Sequence, residues 1–208
     1  MYDAKNSIET FLDAAAAKQP TPGGGSIAAL AGALAASMGE MVLNYSVGKK
    51  KLAQYEPELR DALAELTRAR QLLLRLMVED QVAYESLTAA RKLPDSHPTR
   101  QDEFNVALLA SIRIPQAIGA TSLAILELAE KLTGKVNHFL LSDLAVCCEL
   151  AMATIRCAAY NVRANLPDLT EPNDRAQVED TARRLVERGI AVIRRTIPGI
   201  WARHGKSA

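Results

Sequence analysis

Apolar residues recur at intervals of three and four along most of the chain, the spacing typical of amphipathic α-helices. The clearest run begins at Pro57, a favoured first residue of a helix, and continues to about Ala90. One heptad position of this run holds Leu59, Leu66, Leu73 and Leu87, and the other holds Leu63, Met77 and Tyr84. Two charged residues, Asp80 and Arg70, fall on the same apolar stripe, so the pattern marks both for closer attention.

The same spacing predicts further helices and no convincing strand. They cover Ser7 to Ala17, a segment starting near Ser26, Gln101 to Leu132 with a kink at Pro115, Ser142 to Asn165, and a final segment that contains Leu185, Val186, Ile193, Ile197 and Trp201. No internal repeat or linker interrupts them. The pattern therefore predicts an all-α fold in which residues 1–208 form a single domain, a bundle of five to six helices.

The helix near Ser26 is unusually apolar, because Glu40 is the only charged residue between Ile27 and Val47. About 20 such residues could span a bilayer. The segment is built mainly from Ala and Gly, however, and amphipathic helices follow it, so we expect no membrane partner. Small side chains let another backbone approach closely, which favours the centre of a bundle or a subunit interface. Enlarging Gly32 or Gly39 is expected to disrupt that packing.

Composition narrows the classes of function. Hydrophobic residues make up 49% of the 208 residues and the formal net charge is +1, so disorder and broad nucleic-acid binding lack a signature. Cys147, Cys148 and Cys157 lack the paired spacing of a zinc site, and the three histidines are scattered, so we expect no metal. The first nine residues carry acids and amides rather than a secretory signal, which predicts a cytoplasmic protein.

Asp80 is the most informative residue that the periodicity exposes. A carboxylate on an apolar stripe pays a desolvation cost unless something pairs with it, and burial favours its neutral form. Arg70 lies ten residues away, about 15 Å along a helix, so the partner must come from elsewhere. One interpretation is a structural ion pair with another helix, or a helix face left in water. The other is a general base, or a counter-ion for a cationic substrate.

The run Pro22-Gly23-Gly24-Gly25-Ser26 opens the Ala/Gly helix. Free backbone donors and the positive end of the helix dipole could hold an anion or a carbonyl there, and glycines permit close approach of a ligand. A flexible turn with Ser26 as the N-cap is the alternative. No strand precedes the run, so it is not a phosphate-binding P-loop.

Two further polar groups have two interpretations each. Lys49, Lys50 and Lys51 follow the Ala/Gly helix and could either satisfy its last carbonyls or capture a substrate carboxylate. Asn161 and Asn165 lie one turn apart and could either cap a helix or bind the amide-like edge of a ligand. Spacing alone does not decide between these roles.

Taken together, several of these motifs resemble one enzyme family. They are Pro20-Thr21-Pro22-Gly23-Gly24-Gly25-Ser26, the Ala/Gly helix, Gly48-Lys49-Lys50-Lys51, Asp80 with Tyr84, Leu93-Pro94, Pro115, Asn137 with Ser142-Asp143, and Asn161-Val162 with Asn165-Leu166. Their order and spacing resemble the formiminotetrahydrofolate cyclodeaminase/methenyltetrahydrofolate cyclohydrolase family over most of the chain. One departure is Val136, where the family usually has glycine before the residue matching Asn137; here Gly134 lies further upstream.

The resemblance implies an all-helical homodimer that acts on a tetrahydrofolate derivative without a metal or redox cofactor. It implies that Asp80 is catalytic, and that folate is held near the glycine run. The implied substrate-binding residues are Pro22, Gly23, Gly24, Gly25, Ser26, Lys49, Lys50, Lys51, Tyr84, Asn137, Ser142, Asp143, Asn161 and Asn165. The favoured reaction is hydrolysis of 5,10-methenyltetrahydrofolate to 10-formyltetrahydrofolate. The alternatives are a cyclodeaminase that releases ammonia from formiminotetrahydrofolate, and a non-catalytic folate-binding helical dimer.

Overall fold

A computed structural model of the chain describes residues 1–204 as six α-helices with no strand among them. The helices are α1 (Ile8–Ala16), α2 (Gly24–Asn44), α3 (Glu56–Lys92), α4 (Arg100–Leu132), α5 (Leu141–Ala164) and α6 (Pro172–His204). Short 3-10 turns at Lys50–Tyr55, His138–Leu140 and Leu166–Asp168 join them. The predicted all-α bundle is therefore confirmed.

Helices α2 to α5 form a four-membered ring. Each packs on the next one in the chain, and α5 closes the ring against α2. Helix α6 lies outside the ring against α4 and α5. The core sits inside the ring, where α2 lies between α3 and α5 with α4 on the far side.

The helix ends follow ordinary capping chemistry, and they fall within about two residues of the predicted ends. Helix α3 has Pro57 in its first turn, basic Arg91 and Lys92 in its last turn, and it ends two residues before Pro94. Helix α1 begins after Ser7, whose hydroxyl accepts a hydrogen bond from the Thr10 amide. The 3-10 turn at Lys50–Tyr55 was not predicted, because its residues carry no apolar period.

The heptad pattern of α3 describes its packing correctly at most positions. Leu59, Leu66, Leu73, Met77 and Leu87 are buried. Arg70 is paired with Glu40 of α2, with 2.6 Å between its Nε and the carboxylate Oε1. Tyr84 departs from the pattern, because 45% of it is exposed beside a cavity described below.

Helix α2 has two faces that differ in side-chain size. Its small residues pack inside the subunit: an added Cβ at Gly32 would lie 3.1 Å from Leu73, and one at Gly39 would lie 2.7 Å from Leu66. The glycines therefore serve close helix packing within one chain. The opposite face exposes or half-exposes large apolar residues that recur at helical spacing. This α2 stripe consists of Ile27, Leu30, Leu34, Met38, Met41 and Tyr45.

Three stretches of helix, Gly24–Asn44, Arg100–Leu132 and His138–Asp168, are long and apolar enough to cross a membrane by length and composition. Inside the bundle, 56% of the α2 window and 44% of each of the other two windows are buried. The expected absence of a membrane partner stays a prediction.

Replacing Gly39 with valine is expected to destabilise the subunit. The first added carbon already lies 2.7 Å from Leu66 Cδ1 and 3.3 Å from Cys147 Sγ, so the core has no room for a larger side chain. Overpacking of this kind costs about 1–3 kcal/mol in free energy of unfolding. Thermal unfolding followed by circular dichroism should show a Tm lowered by about 2–4 °C for each kcal/mol.

Gly199→Ala is the matched control, because its added carbon meets only Thr133 at 3.8 Å. Alanine is also the better helix former, by about 1 kcal/mol. The control should therefore keep or raise the Tm. An unchanged Tm in the Gly39 variant would contradict the packing described for α2.

Candidate active site

A cavity of about 140 Å³ lies at the end of the bundle where α2 begins. Helices α3 and α4 continue past this point, whereas α5 ends here and places its C-cap residue Asn165 in the lining. Its lining comes from the loop before α2, from the first turn of α2 and from the three other ring helices. The lining residues are Pro20, Thr21, Gly23, Gly24, Gly25, Asp80, Tyr84, Ser111, Pro115, Asn161 and Asn165.

Asp80 lies directly against the glycine run. A Cβ at Gly25 would lie 2.0 Å from Asp80 Oδ1, so only glycine permits this approach. The hydroxyl of Ser26 lies 2.9 Å from Asp80 Oδ2 and 3.1 Å from the carbonyl oxygen of Met77. The Ser26 backbone N–H also donates to Asp80. Helix α2 thus presents a free amide of its first turn, that of Ser26, to the carboxylate, as expected of a helix N-terminus.

Burial raises the pKa of Asp80 above its ordinary value, and the two hydrogen bonds from Ser26 partly oppose that shift. Asp80 forms no ion pair with any residue in the part of the chain that the structure describes. The structural ion pair considered from the sequence is therefore not formed among the described residues of one subunit. A carboxylate that is partly desolvated and lacks a cation is suited to accept a proton or to attract a cationic ligand.

Asn165 supplies a hydrogen bond that Pro115 cannot make in helix α4. Pro115 has no N–H, so the carbonyl of Ser111 lacks its usual partner in the helix. Asn165 Nδ2 donates to this carbonyl at 3.1 Å and also to the carbonyl of Asn161 at 3.0 Å. The side-chain amide of Asn165 therefore holds α4 and α5 together at the wall of the cavity, besides lining it.

Asn161 directs its amide oxygen at the glycine run. Its Nδ2 donates to the carbonyl of Cys157 at 2.9 Å, a bond back along α5. Its Oδ1 would lie 3.1 Å from a Cβ at Gly24. The two roles considered from the sequence, capping a helix and contacting a ligand, are thus compatible in the same side chain.

Pro22 and Ser26 are buried beneath the cavity rather than lining it. The sequence did not single out Thr21 and Ser111 as polar lining residues. Thr21 Oγ1 donates to Glu85 at 3.1 Å, which fixes the loop before α2 on helix α3. Residue 111 lies one turn before Pro115, and this spacing was the available signal for it.

Six of the residues implied by the resemblance lie at the other end of the bundle. Helix α2 has 21 residues, so its two ends are about 30 Å apart. At the far end the Asn137 backbone N–H donates to Ser46 Oγ at 2.9 Å, and its side chain donates to the Tyr45 carbonyl at 3.3 Å. The residues at this end are Lys49, Lys50, Lys51, Asn137, Ser142 and Asp143. Within one subunit they do not reach the cavity.

The turn before Asn137 is held by the last helix. Val136 is fully buried, and its carbonyl accepts a hydrogen bond of 2.7 Å from Arg203 of α6. Burial of the valine side chain and this bond stabilise a turn that has no glycine at that position.

The cysteines are reduced, and two of them are deeply buried. Burial raises the pKa of Cys147 to about 12 and also raises the pKa of Cys148. No group of three or more His, Cys, Asp or Glu residues that could hold a metal ion occurs in residues 1–204. The groups that line the cavity supply a carboxylate, a helix N-terminus, two side-chain amides and the hydroxyls of Thr21, Tyr84 and Ser111.

Fold and site together define a class: an all-α protein whose glycine-rich helix start meets one unpaired carboxylate. The sequence model of the family described as Formiminotransferase-cyclodeaminase matches residues 7–184. A methenyltetrahydrofolate cyclohydrolase from Methylorubrum extorquens is 34% identical over 183 residues, which are 86% of this chain and 86% of that protein. The chain belongs to the formiminotetrahydrofolate cyclodeaminase/methenyltetrahydrofolate cyclohydrolase family, a family of enzymes.

Two other relatives are named as cyclodeaminases. A formimidoyltransferase-cyclodeaminase from Gallus gallus is 30% identical over 184 residues, and the match covers 86% of this chain but 34% of that longer protein. The crystal structure of formiminotetrahydrofolate cyclodeaminase from Thermotoga maritima superposes with a TM-score of 0.88 at 25% identity. It covers 95% of this chain and 97% of the solved chain, so the two share the whole fold.

Proposed function

We propose that this protein hydrolyses 5,10-methenyltetrahydrofolate to 10-formyltetrahydrofolate. The observation that carries the proposal is the position of Asp80, a partly desolvated carboxylate without a cation in its own subunit, against Ser26 in the first turn of α2. The cyclohydrolase from Methylorubrum extorquens, which matches over 86% of both chains, supports the same reaction.

The chemistry requires few groups. The bridging carbon of the substrate belongs to an amidinium cation and is already electrophilic. Asp80 attracts that cation and accepts a proton from the attacking water, while the oxygen of the water forms a bond to the carbon. The bond from carbon to N5 then breaks, N5 takes up a proton, and the remaining hydroxyl becomes the formyl carbonyl with loss of its proton. One proton is released overall.

The other cavity groups orient the pterin and stabilise the tetrahedral adduct. The amides at the start of α2 form the positive end of the helix dipole, which stabilises oxygen that carries partial negative charge in the tetrahedral adduct. The oxygen of the Asn161 side chain accepts hydrogen bonds from pterin N–H groups. No step in this scheme needs a metal or a redox cofactor, and we propose that none is used.

A second candidate is the cyclodeaminase reaction. It is favoured by the superposition on the Thermotoga maritima cyclodeaminase, which extends over the whole chain. There N10 of formiminotetrahydrofolate attacks the formimino carbon, and Asp80 delivers the proton with which ammonia leaves. Both reactions form a tetrahedral carbon between the same two nitrogens, so one site can serve either.

Absorbance tests the first proposal, because opening the bridge destroys the conjugated chromophore of methenyltetrahydrofolate. With catalytic amounts of protein, the decay should be faster than in buffer alone. Ammonia release from formiminotetrahydrofolate would instead support the cyclodeaminase. Binding of the folate with neither reaction would indicate the non-catalytic alternative.

We also propose that the protein is a cytoplasmic homodimer that binds neither nucleic acid nor membranes. The exposed α2 stripe supports a dimer, because contiguous apolar surface is usually covered in solution. The balanced net charge of +1 supports the absence of a nucleic-acid partner. Thiols without a disulfide framework support a reducing compartment.

Replacing Ser26 with alanine should shift the pH dependence of catalysis. Ser26 donates to Asp80 and lowers the pKa of that carboxyl against the effect of burial, so loss of the hydroxyl raises the pKa further. Because the ionised form accepts the proton, the acid limb of the pH–rate profile should move to higher pH. The profile of kcat/KM between about pH 4 and 8 measures this shift.

Ser37→Ala is the matched control, because the Ser37 hydroxyl bonds only back to the carbonyl of Ala33 within α2. Its profile should coincide with that of the unchanged protein. An acid limb that stays in place in the Ser26 variant would contradict the role given to the hydroxyl.

A further inference from the structure

Gln81 follows Asp80 on α3, and its polar side chain is fully buried. The amide oxygen accepts a hydrogen bond of 2.8 Å from the backbone N–H of Tyr2. The amide nitrogen donates to the carbonyl of Tyr2 at 2.7 Å and to the carbonyl of Met77 at 3.0 Å. Burying an amide is costly unless its hydrogen bonds are made, so these bonds account for a glutamine in the core. The proposed reaction gives them no role.

The carbonyl of Met77 connects Gln81 to the active site. This oxygen also lies 3.1 Å from the hydroxyl of Ser26, which lies 2.9 Å from Oδ2 of Asp80. The backbone N–H of Gln81 is a further donor to the same oxygen, because both residues lie within the continuous helix α3. A carbonyl oxygen has two lone pairs, and the two N–H donors of Gln81 suffice to occupy both.

The hydroxyl of Ser26 has two acceptors within reach but only one hydrogen. When Gln81 occupies both lone pairs of Met77, that hydrogen is left for Asp80. When the amide of Gln81 is missing, the Met77 carbonyl competes for it. One neutral side chain therefore decides how strongly Ser26 binds the carboxylate.

We propose that Gln81 is a positioning residue for Asp80, because its amide occupies the Met77 carbonyl and thereby directs the Ser26 hydroxyl to the carboxylate. The backbone of Tyr2 holds both ends of this amide, so the segment before α1 belongs to the same network. Gln81 is not among the lining residues of the cavity and acts through Ser26 rather than on the substrate. Its importance for catalysis rests on the proposed function, in which ionised Asp80 accepts a proton.

The surroundings of Asp80 leave this control to Ser26. Besides burial, the groups that shift the pKa of Asp80 are the side chain and the backbone N–H of Ser26, and both lower it. Among the described residues that line the cavity, the one other titratable side chain is Tyr84, on the same helix. The loop, α4 and α5 face Asp80 with residues that do not titrate, namely Thr21, Ser111, Pro115, Asn161 and Asn165.

The titratable groups outside the lining are engaged elsewhere or neutral. Glu85 of α3 accepts the hydrogen bond of Thr21. The carboxylate of α2, Glu40, lies further along that helix and pairs with Arg70. Cys157 lies on α5 one turn before Asn161, and Tyr2 accepts from Gln19 through its hydroxyl. The hydroxyl of Ser26 therefore remains the group through which a neighbour can adjust Asp80.

Replacing Gln81 with methionine keeps the length of the side chain but removes its amide. We expect the acid limb of the kcat/KM profile for methenyltetrahydrofolate to move to higher pH, because an ionised carboxylate that loses a hydrogen bond forms less readily. On that limb kcat/KM should fall about threefold to tenfold, and at about pH 8 it should stay within about twofold. Gln71→Met is the matched control, because Gln71 is exposed on the same helix. Its profile should coincide with that of the unchanged protein.

A second variant separates this role from simple anchoring of the N-terminal segment. Asparagine is one methylene shorter, so Gln81→Asn gives up the paired bonds to Tyr2. It can still donate to the carbonyl four residues earlier, as Asn161 and Asn165 do on α5 at 2.9 Å and 3.0 Å. Its acid limb should therefore stay in place, although the Tm falls in both variants. Equal displacement in the two variants would mean that Gln81 only anchors Tyr2, and this overturns the inference.

The route through Ser26 can be tested in the same assay. Gln81→Met combined with Ser26→Ala should move the limb no further than Ser26→Ala alone, because both changes act on one hydroxyl. Additive displacements would overturn the inference. If Gln81→Met does not fold, Gln81→Asn decides alone: a limb in place supports the inference, and a displaced limb overturns it.

Titration of Asp80 itself keeps this inference separate from the proposed function. ¹³C NMR of protein labelled at the aspartate carboxyl carbons follows the ionisation directly, and the signal that Asp80→Asn loses assigns it. The titration should move to higher pH in Gln81→Met and stay in place in Gln81→Asn and Gln71→Met. An unmoved titration in Gln81→Met overturns the inference. If the unchanged protein does not react with the folate, the proposed function fails, and this titration still decides the role of Gln81.

Discussion

Replacing Asp80 with asparagine lowers kcat for hydrolysis of methenyltetrahydrofolate by about 10² to 10⁴, the usual contribution of a general base. The asparagine oxygen still accepts the hydrogen bond that Ser26 donates at 2.9 Å, so the helix start keeps its geometry. Folding and folate binding should therefore survive the change. Steady-state kinetics together with equilibrium binding of the folate measure the two effects separately.

Glu79→Gln is the matched control for this change. Glu79 is the preceding residue on α3, it is exposed, and it lies outside the lining of the cavity. Removing its charge should leave kcat within about twofold, because exposed charges contribute little at a distance. Full turnover in the Asp80 variant would show that Asp80 is not the general base.

Replacing Gly25 with alanine should be nearly as damaging to catalysis. The added methyl carbon would lie 2.0 Å from Oδ1 of Asp80 and 2.5 Å from its Cγ, so the carboxylate must move away. A displacement of about 1 Å at a reacting group can reduce the rate about 10²-fold. The variant should still fold, because the short aspartate side chain can turn toward the open cavity.

The measurement pairs kcat/KM with the Tm, so that a catalytic effect is distinguished from a folding defect. Gly134→Ala is the control, because its added carbon meets nothing within 4 Å. It should keep both activity and Tm. A Gly25 variant with normal activity would mean that the close approach of Asp80 to the loop is not needed for catalysis.

Most of the fold could be predicted because the helices are long and amphipathic. Helix α3, with its apolar heptad and a proline in its first turn, was predicted to within two residues at each end. The Ala/Gly helix was the ambiguous element, since its composition suited both a bundle core and an interface. The structure resolves this ambiguity by side-chain size: Gly32 and Gly39 pack inside the subunit, and the large residues remain outside.

The site could be predicted in part, for a different physical reason. A carboxylate on an apolar stripe carries a desolvation cost, and a run of three glycines before a helix is unusual. Each feature can therefore be recognised in the sequence alone. Their contact depends on how α2 and α3 are aligned, and periodicity does not encode that alignment. The resemblance to the family supplied the link between them, and the geometry of Gly25 and Asp80 gives its physical basis.

Three lysines, Lys49 to Lys51, and Asn137 illustrate the limit of sequence reasoning about a site. The resemblance groups them with Asp80, yet within one subunit they lie the length of α2 away from it. Nothing in the spacing of residues along one chain distinguishes neighbours within a subunit from neighbours across a two-fold axis. Asn165 shows another limit, because its bond to Ser111 became predictable only once Pro115 was placed opposite it.

The burial of Cys147 and Cys148 divides the thiols of this protein into two kinds for chemical labelling. With its pKa raised to about 12, Cys147 has almost no reactive thiolate near neutral pH. Cys157 is only partly buried and lies on α5 one turn before Asn161. A maleimide fluorophore should therefore attach to the native chain at this one sulfur, which places a spectroscopic reporter beside the cavity without any engineered cysteine.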